Sequence, residues 1–200
     1  MIQHEILDNL ITNIPTEDGQ SIVTEAPRDK PGPNHEPFFL KTKIMDVVLM
    51  KSPSVQYLGD SLLTELYRPE WPGVFEAGEE ITHLYTIKAP SGGIRKEWYF
   101  HEHSLDRYMV LSGALDVGLY DGRKDSETFG VFEIVSIEEP GGTSPNALRI
   151  PPLVWHSLFW KSSQGMILNA KLPGYNSKTP DKFRVALEDL PDVIDWPRNT

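Results

Sequence analysis

From Ile44 onward the chain is a succession of short β-rich segments parted by turn-forming residues, and this limits its fold more than any other feature. Segments 44–50, 62–67, 81–87, 95–101, 107–112, 114–120, 131–137, 147–150, 154–160 and 166–172 are rich in β-branched and aromatic residues. Between them stand Pro69 to Gly73, Ala89-Pro90-Ser91-Gly92-Gly93, Ser112-Gly113, Asp121-Gly122 and Pro140-Gly141-Gly142. Asp121-Gly122 is a strong hairpin signal. Short strands in close succession, with no helical period between them, predict an all-β antiparallel sandwich or barrel. The ends read differently. Ile2, Ile6, Leu7 and Leu10 fall on helical spacing, and Pro27, Pro31, Pro33 and Pro37 predict an arm without regular structure. Residues 1–43 are therefore expected as an N-terminal helix and Pro-rich arm, and 44–200 as the barrel domain. Phe183, Leu187 and Leu190 share one face of an expected short C-terminal helix over 180–190, after which Trp196 docks.

At 200 residues the chain can bury a substantial core. Its net charge of -10 argues against nucleic acid and anionic membrane as partners, which need a basic surface, but allows an anionic small ligand in a locally basic pocket. There is no cysteine, hence no disulfide, no thiolate nucleophile and no zinc-thiolate site. With no basic-then-apolar leader and no membrane-length apolar run, the expected location is cytoplasmic. The sequence holds neither a glycine-rich phosphate loop nor a Gly-x-Ser-x-Gly elbow.

Two stretches concentrate the reactive side chains: 93–113, which holds His101 and His103, and Ile150-Pro151-Pro152-Leu153-Val154-Trp155-His156. Residues two apart on a strand face the same way, so Tyr99, His101 and His103 are expected to point into the barrel together if the strand runs that far. Joined by His156 and Asp106, the set His101, His103, Asp106 and His156 has the composition of a site for iron, manganese, nickel or zinc. His83 shares a face with Tyr85, as pocket lining or as core. Arg95, Lys96, Arg107, Arg149 and Lys171 are candidates to meet a diphosphate through charge-assisted hydrogen bonds. Asp121, Asp125, Glu138 and Glu139 read as solvated loop carboxylates.

With these positions in hand, the chain resembles a cupin, a double-stranded β-helix (jelly-roll) barrel that binds small molecules in its mouth. Gly93, five residues, Tyr99-x-His101, four residues, Asp106, six residues and Gly113 follow the first cupin motif in spacing, with Tyr at its first His and Asp at its Glu. Pro151 to His156 follows the second, with Leu153 at its Gly. Within the cupins the chain looks most like the dTDP-4-dehydrorhamnose 3,5-epimerases, through Leu111 to Val117, Asp121-Gly122-Arg123, Ser126 to Gly130, Ile150-Pro151-Pro152, Asn169 to Tyr175, Pro180 to Arg184 and Ile194 to Pro197. The likeness covers roughly Gly59 to Pro197. It implies an isomerase that abstracts a proton next to a ketone of a nucleotide-linked sugar, in a homodimer whose open strand edges a neighbour covers. The family uses no metal, so no cofactor is implied.

The family's residues carry over unevenly. Its His base falls at Tyr99, its Tyr acid at Asn169, its Arg at Lys96 and its pocket Lys at Asp106. A phenol with an ordinary pKa near 10 is a poor base at neutral pH, whereas imidazole near 6.5 suits the task. The expected proton-transfer set is thus Tyr99 as acid with His101 or His156 as base, and His83, Lys96, Arg149, Asn169, Lys171 and Tyr175 as substrate-binding residues. Two other functions stay open: a metal-dependent dioxygenase or isomerase on the His/carboxylate set, and a catalytically silent sugar-binding cupin.

Overall fold

Alternation of side chains builds the strands, and the fifth shows it plainly: His83, Tyr85 and Ile87 turn inward while Leu84, Thr86 and Lys88 face solvent. The computed structural model describes residues 36–57, 60–68, 71, 73–75, 79, 81–90 and 97–196. They lie in the unit Pro33–Thr200. The helix expected at the N-terminus and most of the Pro-rich arm fall outside the described residues. In chain order the strands are β1 (Phe38–Lys41), β2 (Val48–Lys51), β3 (Ser54–Tyr57), β4 (Ser61–Thr64), β5 (His83–Lys88), β6 (Trp98–Phe100) and β7 (Asp106–Ser112). They continue with β8 (Ala114–Asp121), β9 (Phe132–Glu138), β10 (Ala147–Ile150), β11 (Val154–Trp160), β12 (Met166–Lys171) and β13 (Phe183–Val185).

Two antiparallel sheets face each other. One runs β1-β2-β10-β7-β12-β5 and the other β13-β6-β11-β8-β9, while β3 and β4 form a separate hairpin. Consecutive strands repeatedly change sheets, which is the jelly-roll path and confirms the expected cupin barrel. Between the sheets lies a core of Leu115, Val117, Leu119, Val110, Leu148, Ile150 and Ile167, with Trp160 at 3% exposure closing one end. Each such side chain contributes about 1.5–3 kcal/mol by leaving water. A second cluster, including Trp71, Val74 and Phe75, covers the outside of the first sheet. A third, of Trp98, Tyr120, Leu190 and Ile194, covers the outside of the second. Trp196 docks as expected, edge-on to Trp98, and its ring passes so close to Gly118 that a Cβ there would lie 2.3 Å from it.

Strands β8 and β9 pair as the Asp121-Gly122 signal predicts, joined by the loop 122–131. Two local expectations are corrected. Asp121 is fully buried rather than solvated, and its carboxylate gathers Arg123, Ser126 and Thr128, so the loop winds around that anion. The helix expected over 180–190 is replaced by β13 and one 3-10 turn, Leu187–Asp189. Edge pairing with β6 gives residues 183–185 a ladder partner and outweighs the helical spacing of the apolar residues.

Candidate active site

The open end of the barrel holds a cavity of about 640 Å³. One wall comes from β6 and β11, which set Tyr99 directly across from His156 in the strand register. The other comes from β5, β7 and β12, which contribute His83, Tyr85, Asp106, Tyr108 and Lys171. Residues 173–183 form the remaining side. His101 follows β6 directly, and its carbonyl accepts the Leu153 N–H at 2.7 Å, tying the two cupin-like segments together. Leu153 does this in the left-handed backbone region, with φ at 61°.

Asp106 stands at the centre. Its Oδ2 lies 3.2 Å from His101 Nε2 and 3.4 Å from His156 Nε2, so one oxygen joins two imidazoles from the facing sheet. Tyr108 donates its O–H to the same oxygen at 3.2 Å. Its Oδ1 accepts from Lys171 Nζ at 3.1 Å and from Asn169 Nδ2 at 2.9 Å. Asn169 is held in turn: its Oδ1 accepts the Arg107 N–H at 3.0 Å, and its Nδ2 also donates to Tyr85 Oη at 2.8 Å. Burial alone would push the Asp106 carboxyl up. The hydrogen bond from His101 and the positive charge that His156, His101 and Lys171 can place around it outweigh burial and hold it well below the usual carboxylate range.

The imidazoles are oriented from behind. Nδ1 of His101 meets the backbone carbonyl of Asp181, and Nδ1 of His156 lies 3.2 Å from the carbonyl of Val154. A carbonyl only accepts, so both Nδ1 atoms carry protons and both Nε2 atoms turn toward Asp106. Burial pushes the pKa of His156 down to about 4, against the attraction of Asp106. At neutral pH its Nε2 therefore presents a lone pair beside a carboxylate, a place that a proton arriving from the cavity completes. The nitrogens of His101 and His156 and an oxygen of Asp106 lie within 4.8 Å of one another, so these three side chains fit a cation as well as a proton.

The expected site residues divide accordingly. Tyr99, His101, His156, His83, Lys171 and Tyr175 line the cavity together. Asn169 sits beneath it as a buried brace for Asp106. Lys96 lies outside the described residues. His103 does not join the cluster: β6 ends at Phe100, the alternation stops there, and the His103 side chain is 75% exposed beside Glu102. Arg149 does not reach the cavity either. On β10 its neighbours Leu148 and Ile150 point into the core, which sends Arg149 to the outer face, where Nη1 donates to the Gly73 carbonyl.

No motif marked Asp181, Glu97, Lys182 or Tyr108 as site residues. Asp181 accepts the N–H groups of Glu102, His103 and Ser104. Tyr99 donates its O–H to Glu97, which also pairs with Arg184, and Lys182 Nζ lies 3.8 Å over the Tyr99 ring. The alternation that placed Tyr99 inward carries no mark of these partners.

No family model matches the chain. It is 28% identical over 136 residues to the Haloferax volcanii protein named "Probable low-salt glycan biosynthesis epimerase Agl13", covering 67% of this chain and 83% of that one. Among solved structures it superposes on a dTDP-4-dehydrorhamnose 3,5-epimerase of Bacillus anthracis with a TM-score of 0.67, at 18% identity over 80% of this chain and 90% of the other. It matches NovW, a 4-keto-6-deoxy sugar epimerase of Streptomyces spheroides, with a TM-score of 0.66, at 16% identity over 82% and 81%. The chain is thus a cupin barrel of the kind found in the dTDP-4-dehydrorhamnose 3,5-epimerases.

Proposed function

We propose that this protein is an epimerase or isomerase that moves a proton at a carbon next to the ketone of a nucleotide-linked keto sugar. The observation that carries this is His156 Nε2, unprotonated at neutral pH and 3.4 Å from the ionised Asp106 on the cavity wall. The C–H bond beside the ketone breaks, its proton passes to His156 Nε2, and Asp106 Oδ2, 3.4 Å away, offsets the charge of the new imidazolium. The electron pair moves onto the ketone oxygen as an enolate, which the Lys171 ammonium and a His83 N–H are placed to stabilise. Tyr99, beside His156 on the same wall, returns a proton to the same face and is reprotonated from solvent while His156 releases its proton there; inversion instead takes the proton from water on the open side, and in neither case is anything oxidised or reduced. His101 acts through Asp106, fixing the carboxylate that receives the new imidazolium. The related epimerases, similar in fold and in part in sequence, support the substrate class.

Deuterium wash-in tests this on a nucleotide-linked 4-keto-6-deoxy sugar in D2O. General acid–base groups contribute roughly 10²–10⁴-fold, so His156→Ala and His101→Ala are expected to lose exchange on that scale. Exchange retained in both variants refutes the proposal. Binding without exchange in the wild-type protein would favour a silent sugar-binding cupin.

A second reading rests on the convergence of two imidazole Nε2 atoms on one carboxylate oxygen. His101, Asp106 and His156 would hold iron, manganese, nickel or zinc, with both Nδ1–H groups already braced by carbonyls as metal-bound imidazoles commonly are. Such an ion would supply Lewis-acid polarisation of the ketone. Elemental analysis of protein purified without chelator decides: one transition metal per chain supports it, and a substoichiometric trace removes it.

We also infer a cytoplasmic homodimer. Phe38 and Leu40 of the edge strand β1 stay exposed in one chain, which suits cover by a second copy. A monomeric mass by light scattering, or recovery of the protein outside the cytoplasm, would contradict this.

A further inference from the structure

Residues 173–183 close one side of the cavity, and the burial pattern sets this segment apart from the barrel. From Pro173 to Pro180 no residue is buried, so little apolar packing holds it down. Up to Asp181 it is held by polar contacts at two points instead, and at each point the partner is a histidine of the cavity or the turn that follows one; beyond it Lys182 lies over the Tyr99 ring and Phe183 stacks on Phe100 as β13 begins.

At one end the Tyr175 N–H donates to His83 Nδ1 at 3.1 Å. That nitrogen must therefore bear a lone pair, and the proton of His83 stands on Nε2. At the other end the Asp181 carboxylate caps the turn after His101, accepting from the amides of Glu102 at 2.8 Å, His103 at 3.2 Å and Ser104 at 2.7 Å, and from the Ser104 hydroxyl. So fixed, the same residue turns its own carbonyl to His101 Nδ1. Burial would push the Asp181 carboxyl up, but these donors outweigh it and hold it below the ordinary range, so the cap stays ionised at neutral pH.

We propose that the segment 173–181 is a lid whose seating sets His83 and His101 oppositely at Nδ1, with Asp181 as the positioning residue. Seated, it holds the proton of His83 on Nε2, as a donor, and a proton of His101 on Nδ1, which aims Nε2 at Asp106. Lifted, it leaves His101 with Asp106 as its one acceptor among these contacts, so a neutral ring there carries its proton on Nε2, the nitrogen that meets Asp106. Ligand closure and assembly of the Asp106 cluster then become one event. The consequence for turnover rests on the proton-transfer function proposed above; the tautomer setting does not.

Nitrogen-15 spectra of the histidine rings test this in the ligand-free, full-length chain, with His83→Gln and His101→Gln used for assignment. In the wild type, His101 Nδ1 is expected to be protonated and His83 Nδ1 unprotonated. In Asp181→Ala, His101 Nδ1 should move to the shift of an unprotonated nitrogen, and His83 should divide its proton between both positions. The second change is one that a purely local role for Asp181 would not produce. A folded Asp181→Ala protein with either ring unchanged overturns the proposal. If that variant does not fold, Ser104→Ala removes one of the four capping bonds: a partial shift at His101 in the same direction supports the lid, and no shift overturns it. With a substrate in hand, kcat should fall on the order of 100-fold in Asp181→Ala, the cost of a misplaced group, with KM changing less. If the wild type exchanges no keto sugar, the functional reading fails while the spectra still decide the lid.

Discussion

Replacing Asp106 by Asn is the sharpest perturbation of the cluster. The carboxylate is 2% exposed and stands against Lys171, itself 4% exposed. On the Oδ1 side it takes Lys171 and Asn169, and on the Oδ2 side His101, His156 and Tyr108. The amide keeps one oxygen, and it must turn that oxygen to Lys171 and Asn169, because an NH2 group there would face two donors. The Oδ2 position then becomes a donor aimed at the Tyr108 hydroxyl and two imidazoles, and the Lys171 charge loses its counterion. Removing one partner of a buried pair costs about 3–5 kcal/mol, which lowers Tm by roughly 6–20 °C in a domain of this size. Urea unfolding of Asp106→Asn, Lys171→Met and the double variant measures both the cost and the coupling. The double variant should be more stable than Asp106→Asn alone, since it no longer buries an unpaired ammonium. A cost for Asp106→Asn within about 1 kcal/mol, the range of an exposed pair, would refute the account of Asp106 as the buried counter-charge of the site.

Other outcomes follow from the same structure. Burial pushes the Asp121 carboxyl up, but Arg123, Thr128 and Ser126 hold it at about 2. Its folded pKa is depressed, so its stabilisation is complete above the ordinary carboxylate pKa and lost as pH falls through about 2; Asp121→Asn should flatten acid unfolding between pH 4 and pH 2, and an unchanged acid limb would contradict this. If His156 is the base, kcat/KM should fall on the acid side near its pKa of about 4 rather than near 6.5, with a limb at 6.5 pointing to another group. Leu153 holds φ at 61°, a conformation costing a side chain about 1–2 kcal/mol, so Leu153→Gly should raise Tm by a few degrees in a thermal scan, and a lower Tm would show that packing of Leu153 outweighs the strain. Arg149→Met should leave KM for the sugar unchanged, because Arg149 faces the outside of the sheet; a several-fold rise would return it to the site.

Much of this was legible in the residues. The spacing from Tyr99 through His101 and Asp106 to Gly113, with His156 after Pro151-Pro152, located the strands whose inner faces carry the cluster, and period-two alternation turned Tyr99 and His156 inward. The same rule misled at His103 because the strand ends at Phe100, and no residue type marks that end. Arg149 was misassigned by its charge, although its place between Leu148 and Ile150 already pointed it outward. The C-terminal strand was hidden because Phe183 and Leu187 also fit a helix, and only the free edge of β6, distant in sequence, decides between them. Asp181 could not be read at all: its role rests on amides of residues 102–104, joined to it by a fold that brings together positions some 77 to 79 residues apart.

The central claim is that this barrel moves a proton at carbon, and proton NMR of a nucleotide-linked 4-keto-6-deoxy sugar with the wild-type protein in D2O tests it most directly. The account predicts that the signal of a hydrogen on a carbon flanking the ketone disappears at a rate proportional to protein concentration, and that Asp106→Asn slows it sharply. A sugar that binds in the cavity while keeping all of its carbon-bound hydrogens would contradict it.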